Sequence, residues 1–417
     1  MTPSRFPSDI DIAIIGAGAA GLAAARALAD SNLSVLVLEA RDRIGGRSQT
    51  LTLPGGIIFD LGCGWLHSAD QNGFVPVARE LGFEINTERP PWQQQSFDVG
   101  FPKAERLKFM DALNAYYDRA EAAAELPHDS AASEWLEPGN HWNPMIDAVS
   151  SYVNGCELDK VSIYDFDAYE DTEINWRVRR GYGALIAAFG APCPVALDAP
   201  VTLIDHSGAR IRIETARGTL SAARVIVTVP TNLIARKTVR FHPALPAKVA
   251  AAAGLPLGLA DKVMLALDEP EGLPVDGNLR GAMDRTAIGS YHLRPQGQPC
   301  IEGYFGGSFA RTLEDAGEGA LAQHSIDEIV GLLGSDFRRK LTPLKASRWA
   351  HDRFANGSYS HALPGHAADR ATLAAPVNGR IFFAGEATSP HFFSTAHGAK
   401  ESGERAAREA TESTLKL

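Results

Sequence analysis

Cysteine is scarce in this chain of 417 residues: there are four, Cys63, Cys156, Cys193 and Cys300, and no two form C-x-x-C. That scatter excludes a disulfide framework or a cysteine-built zinc site as the organising principle. No apolar run is long enough to span a bilayer, and the N-terminus MTPSRFPSDID has no apolar signal region. The expectation is a cytoplasmic protein with no membrane partner. His361 with His366, and His391 with His397, lack ligand spacing such as H-E-x-x-H, so no metal is expected. Positive charge is in deficit, 40 Lys and Arg against 50 Asp and Glu, for a net charge of −10. This argues against nucleic acid as a main partner and mildly favours a cationic substrate, although many soluble enzymes are equally acidic. The hydrophobic share of 45% and charged share of 22% are those of an ordinary globular chain, long enough for two domains.

What is present is concentrated first between Asp9 and Arg47. Ile10, Ile12, Ala13, Ile14 and Ile15 form a short run of the kind buried on both sheet faces. Gly16, Gly18 and Gly21 follow in G-x-G-x-x-G spacing, with Ala17 and Ala20 between them. An alanine-rich helix is predicted over Ala19 to Ala29 and a second strand over Ser34 to Leu38, closed by Glu39. Gly16 permits a tight turn, Gly18 a close approach of pyrophosphate, and Gly21 close helix–sheet packing. The helix N-terminus offers unpaired N–H groups to phosphates. An acid about 20 residues after the glycines reaches a ribose diol and repels a 2′-phosphate, so FAD or NAD fits better than NADP. Ala40, Arg41, Asp42, Arg43, Ile44, Gly45, Gly46 and Arg47 continue directly. They add a second close backbone approach and, in Arg47, a bidentate phosphate donor.

This long ungapped stretch resembles the start of the flavin-dependent amine oxidase family, which includes monoamine oxidases, polyamine oxidases and lysine-specific histone demethylases. The resemblance implies that the segment wraps the pyrophosphate of FAD. It also gives later motifs a meaning. In DLGCGWLHS, the segment with Gly62, Cys63, Gly64 and Trp65 would pass beside the flavin ring. His67 would line the substrate tunnel; its alternative is a hydrogen-bonded loop histidine. Val201 would contact the adenine side of FAD by its backbone, and is otherwise an ordinary strand valine. Lys262 opens an apolar strand in GLADKVML, where a lysine aimed into a core needs a partner or a function. In the family that lysine is hydrogen-bonded through a water to flavin N5 and is associated with reoxidation by O2. Trp349 would pack near the flavin, and Tyr359 of GSYS would form one wall of the substrate site. Ser358 aligns with the cysteine that monoamine oxidases link to FAD, so FAD would be non-covalent here. The string with Gly385 and Glu386 would hold an acid near the pyrophosphate and ribitol. Thr395 and Ala396 would start a helix facing flavin N1–C2=O. Thr395 stands where monoamine oxidases have a second tyrosine, leaving a half-open cage.

The implied fold is mixed α/β: a Rossmann-like FAD-binding domain of the amine oxidase and glutathione-reductase type, plus a sheet-and-helix substrate domain. The FAD-binding domain is expected from 1–71, 178–257 and 350–417, the substrate domain from 72–177 and 258–349. Val195 to Val229 reads as a β-rich insertion. The acidic run SIYDFDAYEDTE holds Asp165, Asp167, Glu170 and Asp171, which either attract the distal ammonium groups of a polyamine or form a solvated face. The strings GSYS and STAHGA point to the polyamine and spermine oxidase branch. The implied reaction takes a hydride from the carbon next to an amine nitrogen to flavin N5. An imine and then an aldehyde result, and O2 becomes H2O2. An L-amino-acid oxidase of the same fold would need an arginine for a carboxylate, and none stands out in the sequence. A flavin-binding protein without catalysis is the remaining alternative. Monomer and homodimer both stay open.

Overall fold

The computed structural model describes residues 9–93 and 98–412. The sequence readings made on the first eight and last five residues lie outside that range. β1 (Ile10–Ile15) leads into a helix, Ala19–Ala27, and β2 (Val35–Leu38), followed by a hairpin of β3 (Thr50–Thr52) and β4 (Ile58–Asp60). β5 (Ile85–Asn86) pairs with β6 (Arg177–Val178), and between them lie helices Lys103–Ala124, Asn143–Val153 and Ile163–Ala168. β7 (Val195–Ala196), β8 (Val201–Asp205), β9 (Ile211–Thr215), β10 (Gly218–Val227) and β11 (Arg240–His242) come next. β12 (Ala260–Leu267), β13 (Gly277–Arg280), β14 (Ser290–Leu293), β15 (Cys300–Gly306) and β16 (Leu341–Ala346) follow. β17 (Ile381–Phe383) and a C-terminal helix, Ala396–Glu412, end the described chain.

Eight strands form one sheet in the order β11-β8-β9-β10-β1-β2-β7, with β17 also paired to β10. β1 runs parallel to both β2 and β10. From Ile12 on its side chains alternate between two cores, Ile12 and Ile14 in one and Ala13 and Ile15 in the other, which Ile10 at the strand start also joins. A strand buried on both faces must be apolar, and this one is from Ile12 onward; Asp11, near its start, is half-buried and accepts hydrogen bonds from the Ser34 N–H and hydroxyl. The segment 195–229, expected as an insertion, is integral to this sheet. β10 begins at Gly218: its first half closes an antiparallel hairpin with β9 before its second half joins β1 and β17. The hairpin half is partly exposed and mixed in polarity, so an apolar-run criterion finds only the second half.

The second sheet is antiparallel, in the order β13-β14-β15-β12-β16. One face carries Leu279, Tyr291, Val263, Ile301 and Leu265 into a core with helices Gly307–Asp315 and Ala320–Leu333. Strand alternation therefore sends Arg280, Ser290, His292, Glu302, Tyr304 and Lys262 to the opposite side. The long helix 103–124 and its neighbours build a separate core around Phe109, Tyr116, Trp142 and Ile163.

Candidate active site

A single cavity of about 780 Å³ runs from the glycine-rich turn after β1 to the polar face of the five-stranded sheet. The residues that the resemblance assigned to flavin, substrate or catalysis all line it except Ala17 and Gly21. At the nucleotide end, Gly16 has φ +104°. A Cβ on Gly21 would sit 1.9 Å from the Gly16 carbonyl oxygen, so the first turn of the helix rests directly on the strand end. A Cβ on Gly46 would lie 3.1 Å from Gly18 Cα. The second glycine pair thus stacks on the first, and its close approach is to protein backbone. Glu39 is buried and accepts hydrogen bonds from the N–H groups of Ala17 (2.7 Å) and Arg41 (2.9 Å).

Whether these residues suit a flavin dinucleotide is tested by the cradle itself. The helix Ala19–Ala27 has no side-chain cap and no acid in its first turn, and Gly18, Ala19 and Ala20 line the cavity. Its orphan N–H groups and dipole are therefore available to an anion. Gly385, φ +129°, has no atom within 4 Å of where a Cβ would stand, so its missing side chain leaves open space at the cavity wall. The residues fit the group. Two arginines are more committed than the sequence implied. Arg41 makes a two-pronged ion pair with Asp352, 2.7 Å on each prong. Nη1 of Arg47 donates to Glu386 (2.9 Å) and to the Ser358 carbonyl (2.7 Å). Arg47 is therefore one half of an ion pair through Nη1, and it also lines the cavity. Glu386 also accepts from Ser360 Oγ (2.6 Å) and Ser394 N–H (2.9 Å). Burial would raise its pKa, but Arg47 and these bonds hold it below the usual range.

Midway along the cavity lies Lys262. It is buried; Nζ donates to the Asp60 carbonyl (3.0 Å) and pairs with Glu302 (3.3 Å). A Cβ on Gly64 would come within 3.0 Å of that Nζ, so Gly64 keeps room for the lysine. Gly62 likewise answers to protein: a Cβ there would stand 1.8 Å from the Arg47 carbonyl oxygen. Trp349 is anchored by Nε1–H to the Leu61 carbonyl (3.1 Å). Cys63 is hydrogen-bonded to Ser48, and burial pushes its thiol up to about 12. His67 is bonded through Nδ1 to Asn175 (2.5 Å), and burial lowers its pKa, so it is neutral. It is thus both a hydrogen-bonded histidine and a cavity wall. Thr395 spends its hydroxyl on the C-terminal helix, donating to the Phe392 carbonyl and accepting from Gly398 N–H.

The far end was largely invisible in the sequence. Glu302 binds Arg177 (2.9 Å) as well as Lys262, and Arg177 neighbours His292, which reaches Asp276 (2.8 Å). Burial would raise the Glu302 pKa; Arg177 and Lys262 bring it down to about 2. Burial keeps His292 neutral. Tyr359 meets Tyr304 hydroxyl to hydroxyl at 2.9 Å and donates to the Tyr152 carbonyl. Burial raises all three phenols, Tyr304 to about 12. The usable signal was the two-residue period: Glu302 and Tyr304 alternate with Ile301 and Phe305. Of the five acids in the acidic run, Asp171 alone lines the cavity. Asp165 is buried in a two-pronged pair with Arg370 (2.5 and 2.8 Å), which removes it from any substrate role. Asp167 is exposed beside Glu121 and Glu125, and Glu170 pairs with His391 (3.4 Å). No helix among the described residues is long and apolar enough to cross a membrane, and no cluster of metal-ligating side chains is found among them.

Comparison with known proteins agrees with this geometry. The chain is 29% identical over 439 residues to polyamine oxidase 4 of Oryza sativa subsp. japonica, covering 95% of this chain and 88% of that protein. It is 28% identical over 454 residues to the flavin-containing amine oxidase B of Bos taurus, covering 96% and 86%. Among solved structures it shares its fold with cyclohexylamine oxidase from Brevibacterium oxydans IH-35A, at TM-score 0.79, 22% identity and 98% and 100% coverage. It shares it equally with putrescine oxidase bound to putrescine, at TM-score 0.78, 19% identity and 97% and 99% coverage. The family described as flavin containing amine oxidoreductase matches residues 19–411. A glycine-built nucleotide cradle, a buried lysine at mid-cavity and a match over nearly the whole chain lead to one conclusion: this protein is an enzyme of the flavin containing amine oxidoreductase family.

Proposed function

We propose that the enzyme oxidises the C–N bond of an amine, with non-covalently held FAD as electron acceptor and O2 as terminal oxidant. When bound, FAD takes up a hydride equivalent from the amine's α-carbon and, on reoxidation, converts O2 to H2O2. The observation that carries this reading is Lys262, a buried cation fixed at mid-cavity by Asp60 and Glu302. A module that only binds flavin has no need to bury it. The chain's other residues have separable tasks. Glu39 and the helix N-terminus at Gly18 to Ala20 suit ribose and pyrophosphate. Ser358 donates to the Ala260 carbonyl and accepts from Ala260 N–H, so it tethers β12. With serine there and the Cys63 thiol held protonated, neither group is suited to a covalent flavin link.

Trp349, Tyr152, Tyr304 and Tyr359 give the substrate end an aromatic wall whose phenols stay neutral. Such a wall attracts a cation by roughly 0.5–2 kcal/mol. Being dry, it also favours the uncharged amine from which a hydride can leave. The relatives named for polyamines and amines support an amine substrate, while the acidic run offers the cavity only Asp171 for a polyamine's distant charges. The test is Lys262→Met. Flavin reduction by substrate should persist, while reoxidation by O2, followed by stopped-flow absorbance, should slow by about tenfold or more. An unchanged reoxidation rate would remove the lysine from the mechanism.

A further inference from the structure

Arg280 closes β13 at the substrate end of the cavity. Cross-strand register fixes its place: Arg280 lies opposite Ser290, Ser290 opposite Tyr304, and Tyr304 opposite Lys262. These four residues form one row on the cavity face, with arginine and lysine at its ends. The other basic groups of the cavity wall that hold ion pairs are neutralised: Lys262 by Glu302, Arg41 by Asp352, Arg47 by Glu386. Among the described residues Arg280 has no ion-pair partner, and its Nη1 is buried without a hydrogen bond. The undescribed residues contain no aspartate or glutamate. The acid beside the next residue, Glu328, is already taken by Gly289 N–H (3.0 Å) and the Tyr291 hydroxyl (2.6 Å). Burial disfavours the charge on Arg280, and its ionisable neighbours are Tyr152, a buried phenol, and Arg106, another cation.

An uncompensated guanidinium in a cavity wall is costly, and its planar fork matches a carboxylate two-pronged. A polyamine would bring more positive charge to it. We propose that Arg280 binds a carboxylate of the substrate, so that the enzyme acts on amines that also carry a carboxylate. The inference rests on the amine-oxidation reading and narrows its substrate class. Three strand spacings separate Arg280 from Lys262, roughly 14 Å between backbones. That span suits a carboxylate several carbons away from the reacting nitrogen, as in an ω-amino carboxylate.

The test pairs each amino acid with the alkylamine that lacks its carboxylate: 5-aminovalerate with n-butylamine, and 6-aminohexanoate with n-pentylamine. For the wild-type holoenzyme, kcat/KM for flavin reduction should be about ten- to hundredfold higher for the carboxylated member. Arg280→Gln should abolish that preference, lowering kcat/KM about tenfold or more further for the carboxylated member than for its alkylamine partner, and Arg280→Lys, which keeps the charge but not the fork, should restore part of it. A second readout needs no turnover: hexanoate should perturb the flavin absorption band of the wild type and bind at least about tenfold more weakly to Arg280→Gln. Equal rates within each pair, with hexanoate binding unchanged by Arg280→Gln, would overturn the proposal and leave amine oxidation standing. Hexanoate binding through Arg280 with no amine reducing the flavin would uphold the carboxylate site and overturn amine oxidation instead.

Discussion

The two ends of the cavity are built by opposite strategies. The nucleotide end has a local nucleus: residues 15 to 47 supply its glycine turn, its backbone N–H groups and the carboxylate of Glu39. The stretch from mid-cavity towards the substrate end is assembled from Asp60, Arg177, Lys262, His292 and Glu302, distant in sequence and joined by ion pairs and hydrogen bonds. A cradle made of backbone tolerates few side chains but needs no partners. A network of buried charges tolerates shape changes poorly in a different way, because each member compensates another.

Glu302→Ala should be the most damaging change, since it leaves Arg177 and Lys262 together without their shared acid. A loss of about 3–5 kcal/mol is expected, read as a lower denaturation midpoint. The same residue sets an acid limit. Its folded pKa of about 2 lies below the ordinary 4.5. Its stabilisation is therefore complete above about pH 4.5 and is lost as pH falls through about 2. Glu302→Gln should show a flatter decline over that window in a pH series of unfolding curves.

Gly21→Val breaks the other end. The added Cβ meets the Gly16 carbonyl, which is backbone and cannot swing away. About 3 kcal/mol should be lost, with purified protein largely free of flavin. If Gly21→Val kept its flavin while Glu302→Ala lost it, the two ends would be energetically joined, and the contrast between them would fail.

That contrast also explains what was legible in the sequence. Gly16, Gly18, Gly21 and Glu39 could be read because their roles depend on spacing along one strand–turn–helix. Lys262 could be read because a lysine in VML-rich surroundings is anomalous by itself. Glu302 and Arg280 could not, because their meaning comes from registers across β13, β14, β15 and β12, and Arg177 could not, because it reaches Glu302 from β6, outside that sheet; no local pattern encodes either. Asp165 misled for the same reason: its partner, Arg370, is about two hundred residues away in the chain and adjacent in space.

The smallest expected effect is at Thr395. Its hydroxyl caps the C-terminal helix, so Thr395→Val should lower stability by about 1 kcal/mol in thermal unfolding while flavin reduction by amines stays close to wild type. A large drop in amine oxidation with unchanged stability would instead make Thr395 part of the substrate wall.

The central claim is that one cavity joins a flavin cradle to an amine site. Its most direct test is anaerobic. Purified yellow holoprotein is mixed with 6-aminohexanoate, n-pentylamine, putrescine, spermine, benzylamine and an L-amino acid, and the flavin band is followed before and after air is admitted. Bleaching by at least one amine, with recovery of the band and formation of H2O2 in air, is the expected result. A flavin band untouched by every one of these amines would contradict the account.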